Sequence, residues 1–230
     1  MNIKFLLSFL AISVSSIVLV SCQSQETETV NQKTVVTEEA PVESIEKIDS
    51  NLVFNANLAS QEDLKLTGLS SELIEEILTK RPFLTMNSLD SLLKGVANKE
   101  ELYRHLFVPI NLNTTPESDF LLIPGVGKKM AHEFEEYRPY KSIKQFSKEI
   151  GKYVDEEEVA RYENYVFVPV ELNSASEEDI KALPGIGEKM AHEFEEYRPY
   201  SSMKQFEKEI GKYVDDRELK RMSRLVYLKK

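Results

Sequence analysis

The sequence predicts an all-α protein in which one unit of about 60 residues is written three times. Residues 111–170 and 171–230 align without a gap, and more than half of the aligned positions are identical. Within a unit the apolar residues recur at helical spacing, as in Met130, Ala131, Phe134 and Tyr137. That spacing puts them on one stripe of an amphipathic helix. No alternating apolar run is long enough to predict a sheet.

The chain opens on an apolar run from Phe5 to Val20, preceded by Lys4 as its one charge. At about 16 residues the run is short of the ~20 that a spanning helix needs. It ends at Leu19-Val20-Ser21-Cys22, which places the only cysteine directly after a small residue. Residues 1–21 therefore read as a secretory leader, and the stretch resembles the lipobox of bacterial lipoproteins. That resemblance implies lipidation of Cys22 and an extracytoplasmic protein anchored to a bacterial membrane. Gln23, where retention at the inner membrane usually has Asp, points to the outer one. Two acyl chains suffice for stable anchoring. A single cysteine excludes an intrachain disulfide. Residues 22–50 are rich in Glu, Thr, Ser and Gln without sustained periodicity, and read as a solvated acidic tether.

Residues 51–110 form the first unit, an eroded copy of the other two. "NLASQEDL" at Asn57 stands against "NTTPESDF" at Asn113, and Arg81-Pro82-Phe83 against Arg138-Pro139-Tyr140. Each unit predicts four helices. Thr114/Glu117 and Ser174/Glu177 have capping-box spacing before the first. Pro124-Gly125-Val126-Gly127 breaks it. The second helix runs from Lys128 to Tyr137, with His132, Glu133, Glu135 and Glu136 facing outward. Ser142/Gln145 and Ser202/Gln205 cap the third, with Ile143, Phe146 and Ile150 as its apolar face and Gly151 just past its end. Asn98/Glu101, Asp155/Glu158 and Asp215/Glu218 start the fourth. An extended Phe-Val-Pro connector closes the unit. Sixty residues is near the lower limit for a self-sufficient core, so neighbours are expected to stack.

"ELNSASEEDIKALPGIGEKMAHEFEEYRPYSSMKQF" resembles the helix-hairpin-helix domain of the competence protein ComEA, a fold of the SAM/HhH type. Residues 171–207 carry the match, 111–147 nearly as well, and the eroded first copy less so. The resemblance implies three tandem helix-hairpin-helix domains at 51–110, 111–170 and 171–230. It also implies double-stranded DNA as partner, held by its phosphates. The physical basis is simple. Glycines open turn conformations closed to other residues, and free amides at a helix start favour an anion. Such contacts hold DNA without reading sequence. By the resemblance, Gly125, Val126, Gly127, Lys128 and Lys129 cradle one phosphate, and Gly185, Ile186, Gly187 and Lys189 another. Val126 and Ile186 anchor the hairpin in the core. Lys152 and Lys212 are secondary contacts.

The sequence departs from that pattern. The first turn reads Thr67-Gly68-Leu69-Ser70, without its second glycine. The second hairpins, Gly151 to Asp155 and Gly211 to Asp215, have one glycine and an acid. Glu188 stands where the preceding unit has Lys128. The formal net charge is −10, whereas a DNA binder normally shows a basic footprint. The carboxyl end is locally basic, with Arg217, Lys220, Arg221, Arg224, Lys229 and Lys230.

Other chemistries find little support. A zinc-protease reading of His132-Glu133 needs a second His at position 136, which is Glu, as is 196. No Ser/His/Asp or Cys/His set exists, so no enzyme, metal or cofactor is expected. Two readings stay open: a DNA binder serving uptake or retention of DNA, and a scaffold for an envelope protein partner. An extrinsic protein of photosystem II resembles this fold and binds protein, which keeps the second alive.

Overall fold

The connectors expected to be merely extended pair as strands in the computed structural model, which describes residues 52–229. The leader, Cys22 and the tether lie outside the described residues. The order strand, four helices, strand occurs three times. The first stretch holds β1 (Phe54–Asn55), α1 (Gln61–Leu66), α2 (Ser71–Lys80), α3 (Met86–Leu92), α4 (Lys99–His105) and β2 (Leu106–Phe107). The second holds β3 (Ile110–Asn111), α5 (Glu117–Phe120), α6 (Lys128–Glu136), α7 (Ile143–Ile150), α8 (Glu156–Glu163) and β4 (Val166–Phe167). The third holds β5 (Val170–Glu171), α9 (Glu177–Lys181), α10 (Glu188–Glu196), α11 (Met203–Ile210), α12 (Asp216–Ser223) and β6 (Val226–Tyr227). Each strand pair is parallel: Phe54 opposes Leu106, Ile110 opposes Val166, and Val170 opposes Val226. The structure is thus mostly helical, not purely so. Two-residue strands leave no alternation for a sequence to display.

A repeated side-chain lock closes each stretch. Asn113 donates through Nδ2 to Tyr140 O at 2.8 Å and accepts from Tyr140 N at 2.7 Å. Arg138, which precedes a cis peptide bond to Pro139, donates to the carbonyls of Leu112 and Thr115. Asn57 with Arg81, and Asn173 with Arg198, make the same bonds. The Asn and Arg-Pro phrases therefore tie the start of a stretch to the end of its second helix.

This lock displaces one set of expected caps. Helix α5 begins after Pro116 without a side-chain cap, and α9 begins after Ser176, whose hydroxyl accepts from Asp179 N at 3.1 Å. Thr114 and Ser174 do not cap, because the chain is still in the turn bound by Arg138 or Arg198. The Ser174 hydroxyl instead donates to Glu171 at 2.6 Å. The other caps form: Ser142 and Ser202 accept from Gln145 N and Gln205 N, and Asp155 and Asp215 from Glu158 N and Glu218 N. Asn98 is an exception, in the left-handed region at φ 54° without a side-chain cap bond. Gly151 is also not the left-handed residue expected past α7. Its φ is −61°, and a Cβ there would stand 2.9 Å from Ser147 O. Replacing Ser142 with Ala is expected to cost about 1 kcal/mol, read as a lowered midpoint in urea.

Buried side chains from Ala56 to Val168 form one continuous core across the first two stretches. A second core runs from Phe167 to Val226. Phe107 meets Tyr165 edge-on at 4.9 Å, which joins the first two stretches. Inside the second stretch Phe134 contacts Phe120, Phe146 and Tyr162, all edge-on at 5.0–5.4 Å. Glu133, expected to face water, is buried on α6 beside the hydrogen-bonded Tyr137–Tyr153 hydroxyl pair. No helix among the described residues is long and apolar enough to cross a membrane.

Candidate nucleic-acid interface

Three turns carry a glycine at positive φ: Gly68 at 76°, Gly125 at 80° and Gly185 at 70°. Each leads into the second helix of its stretch, and an L side chain there would be strained. In the second stretch the chain leaves Ile123, turns through Gly125 and enters α6 at Gly127. Val126 N donates to Ile123 O at 3.0 Å, and Ala131 N to Gly127 O at 3.0 Å. Between them the amides of Gly127, Lys128, Lys129 and Met130 find no acceptor among the described residues. These are the orphan donors of a helix start. No acid lies in the first turn of α6, while Lys128 and Lys129 are exposed there. A Cβ on Gly127 would meet nothing within 4 Å, so the approach to these amides is open. Val126 and Ile186 are buried, as anchors of the turn.

The three turns differ in what fills the helix start. In the first, Ser70 replaces the second glycine, and its hydroxyl accepts from Leu73 N at 3.4 Å. That helix is capped by its own chain. In the third, Gly187 again leaves the start of α10 without a side-chain cap, and Lys189 is exposed nearby. Glu188, however, occupies the first turn, where its charge opposes an anion. Leu58 of the first stretch also presses on this turn: a Cβ on Gly185 would lie 2.3 Å from Leu58 Cδ1. Hairpin 124–128 is therefore the most open and most basic of the three. Replacing Glu188 with Lys is expected to favour an anion at this turn by about 1 kcal/mol, roughly fivefold, read in a titration of the full chain with duplex DNA.

Behind the second and third hairpins sits an arginine whose role the sequence did not show. Arg221 is buried, donates to Pro184 O at 2.5 Å and Gly185 O at 3.2 Å, and pairs with Glu218. A trans peptide points its N–H opposite to its C=O, so drawing Pro184 O inward turns the Gly185 amide outward. Arg161 takes the same place in the second stretch. Its Nη2 lies 3.3 Å from where a Gly125 Cβ would stand, and its Nε and Nη2 both bond Glu158 at 2.6 Å. These hydrogen bonds hold the Glu158 carboxyl below its ordinary pKa against the opposing effect of burial. Arg161 and Arg221 are 60 residues apart, so their shared repeat position was the available signal.

Residues 166–213 match a helix-hairpin-helix motif. No curated protein and no solved structure matches the chain. The matched segment contains the Gly185–Gly187 hairpin, α10 and α11. Helix-hairpin-helix motifs commonly bind nucleic acid, so a DNA partner is consistent with this match.

The remaining expected contacts are less available. Lys152 pairs with Glu149 and lies 4.9 Å from the Tyr137 ring centroid; Lys212 pairs with Glu209 and lies 5.0 Å from that of Tyr197. Two cations of the basic carboxyl end are held as well. Arg221 is held at its hairpin, and Arg224 donates to Phe83 O and Pro109 O of the first stretch. Facing hairpin 124–128 across a groove of 470 Å³ are Asp90, Lys99, Glu100 and Tyr103. Burial would raise the Asp90 pKa, but hydrogen bonds from Lys99 and Tyr103 hold it below its ordinary value. His132 is exposed 3.5 Å from Glu117, and His192 pairs loosely with Glu196.

Proposed function

We propose that this chain binds double-stranded DNA through its phosphate backbone, without reading sequence, and that hairpin 124–128 is the principal contact. The observation that carries this reading is the start of α6. Four uncapped amides and two exposed lysines converge there, and no acid lies in the first turn. The acids of α6 do not contradict it. Glu133 lies five residues along the helix from Lys128, ~7.5 Å up the axis, and is buried.

In this reading the chain carries three tandem ComEA-like helix-hairpin-helix units at 51–110, 111–170 and 171–230, the first without a functional hairpin. Hairpin 184–188 is a weaker second contact. Two weak contacts on one chain reinforce each other through effective concentration. Lipid at Cys22 would hold the array outside the cytoplasm, at the outer membrane, where it would capture or retain incoming DNA. No catalytic role is assigned to any residue. Titration of the full chain with duplex DNA of unrelated sequences, at low and moderate salt, tests this function. Similar affinities for all sequences and a steep loss with salt are expected. No binding at low salt would refute it.

A second reading, an envelope scaffold that binds protein, draws on two observations. The net charge is −10, and Leu58 covers one hairpin glycine.

A further inference from the structure

Arg224 reveals what one surface of this fold accepts. Its guanidinium donates to Pro109 O at 2.6 Å and Phe83 O at 3.4 Å, and lies 5.0 Å from the Phe167 ring centroid. Two carbonyls and one aromatic ring thus form a socket, reached from more than 100 residues away along the chain.

Each wall of that socket has a repeat counterpart. Phe83 corresponds to Tyr140, Pro109 to Pro169, and Phe167 to Tyr227. Tyr140, Pro169 and Tyr227 all line one groove of 770 Å³ where the second and third stretches meet. A smaller groove of 340 Å³ where the first and second stretches meet is lined by Pro109 and Arg224. Local bonding is the same around Phe83 and Tyr140: Asn57 Nδ2 donates to Phe83 O at 2.9 Å, and Asn113 Nδ2 to Tyr140 O at 2.8 Å. At the larger groove, Pro169 O has no hydrogen-bond donor among the described residues. Arg224 borders this groove too, but its guanidinium donates to Phe83 and Pro109. Tyr227 is 42% exposed, whereas Phe107 and Phe167 are buried at the equivalent strand position.

We propose that the Tyr140–Pro169–Tyr227 groove is a docking socket for an arginine side chain of a partner protein. The walls define the ligand. Carbonyl oxygens accept and cannot donate, so they favour a donor over a phosphate or carboxylate. A planar guanidinium can bridge two carbonyls while stacking on a ring, which an ammonium point charge cannot do. Glu171 and Asp179 line the groove together with Lys141, Lys229 and Arg224, so no excess of negative charge draws a cation in. Selection therefore comes from the carbonyls and the ring, and binding depends only weakly on salt, unlike binding of a duplex.

The test is a titration of the isotope-labelled full chain with N-acetyl-arginine methylamide, its lysine counterpart and free L-arginine, following the Val170 and Tyr227 amides by NMR. The arginine amide is expected to shift them saturably, and the lysine amide to bind roughly fivefold more weakly or worse. Tyr227→Ala should weaken arginine binding by a similar factor, and Tyr227→Phe, which keeps the ring, should restore it. Equal response to both amides, no saturable shift, or indifference to Tyr227→Ala would overturn the proposal. So would tighter binding of free L-arginine than of the blocked amide, which would mark an amino-acid site instead.

Discussion

Replacing Gly127 with aspartate is expected to weaken duplex binding by more than about tenfold while leaving the protein at least as stable. Gly127 is the N-cap of α6, at φ −88° and ψ 171°, a conformation an aspartate adopts without strain. Its Cβ would enter open space. The new carboxylate would accept from the first-turn amides and interact favourably with the helix dipole, worth a few tenths of a kcal/mol or more. The same bonds remove the donors a phosphate needs and place a negative charge where it would sit. Losing even one charge-assisted bond of about 1.5–3 kcal/mol exceeds a factor of ten. Ser70 already provides such a cap in the first stretch. Gly187→Asp should have a smaller effect on binding, since Glu188 and Leu58 already burden that hairpin. Affinity and melting temperature, measured on the same preparations, separate loss of the site from loss of the fold.

Phe134→Ala is expected to lower stability by about 3–5 kcal/mol, the largest effect of any single substitution proposed for this protein. Phe134 is fully buried on α6, and its ring contacts those of Phe120, Phe146 and Tyr162. Truncation removes these edge-to-face contacts together and leaves a cavity among three helices. Because the first two stretches share one core, the loss should appear as one cooperative shift in their unfolding. The same change at Phe194, in the other core, should act on the third stretch. Denaturant titrations of the two variants compare them directly.

The parts of the fold legible in the sequence are those set by neighbouring residues. Ser142, Ser202, Asp155 and Asp215 cap the helices their spacing announces, and the α6 stripe buries Ala131 and Phe134. The first glycine of each hairpin, Gly125 or Gly185, was equally readable, because positive φ is a local demand that glycine meets; Gly127 and Gly187, at φ −88° and −86°, answer no such demand. What escaped depends on distant partners. Thr114 and Ser174 look like caps, but Arg138 and Arg198 hold the chain in a turn beyond them. Glu133 looks solvent-facing until Tyr137 and Tyr153 close beside it. Leu58 on Gly185, and Arg224 on Pro109, join residues more than 100 positions apart, and no periodicity announces such contacts. Among the carboxyl-terminal cations, the bonds that hold Arg221 and Arg224 escaped for the same reason: sequence counts charges without showing which are already bonded.

Amide-resolved NMR of the full chain during titration with a short DNA duplex tests the central claim most directly. The amides of Gly127, Lys128 and Lys129 should shift saturably and before those of Gly187 and Lys189, while the Ser70-capped start of α2 stays still. Binding that shifts other surfaces and leaves the Gly127–Lys129 amides unmoved would contradict the account.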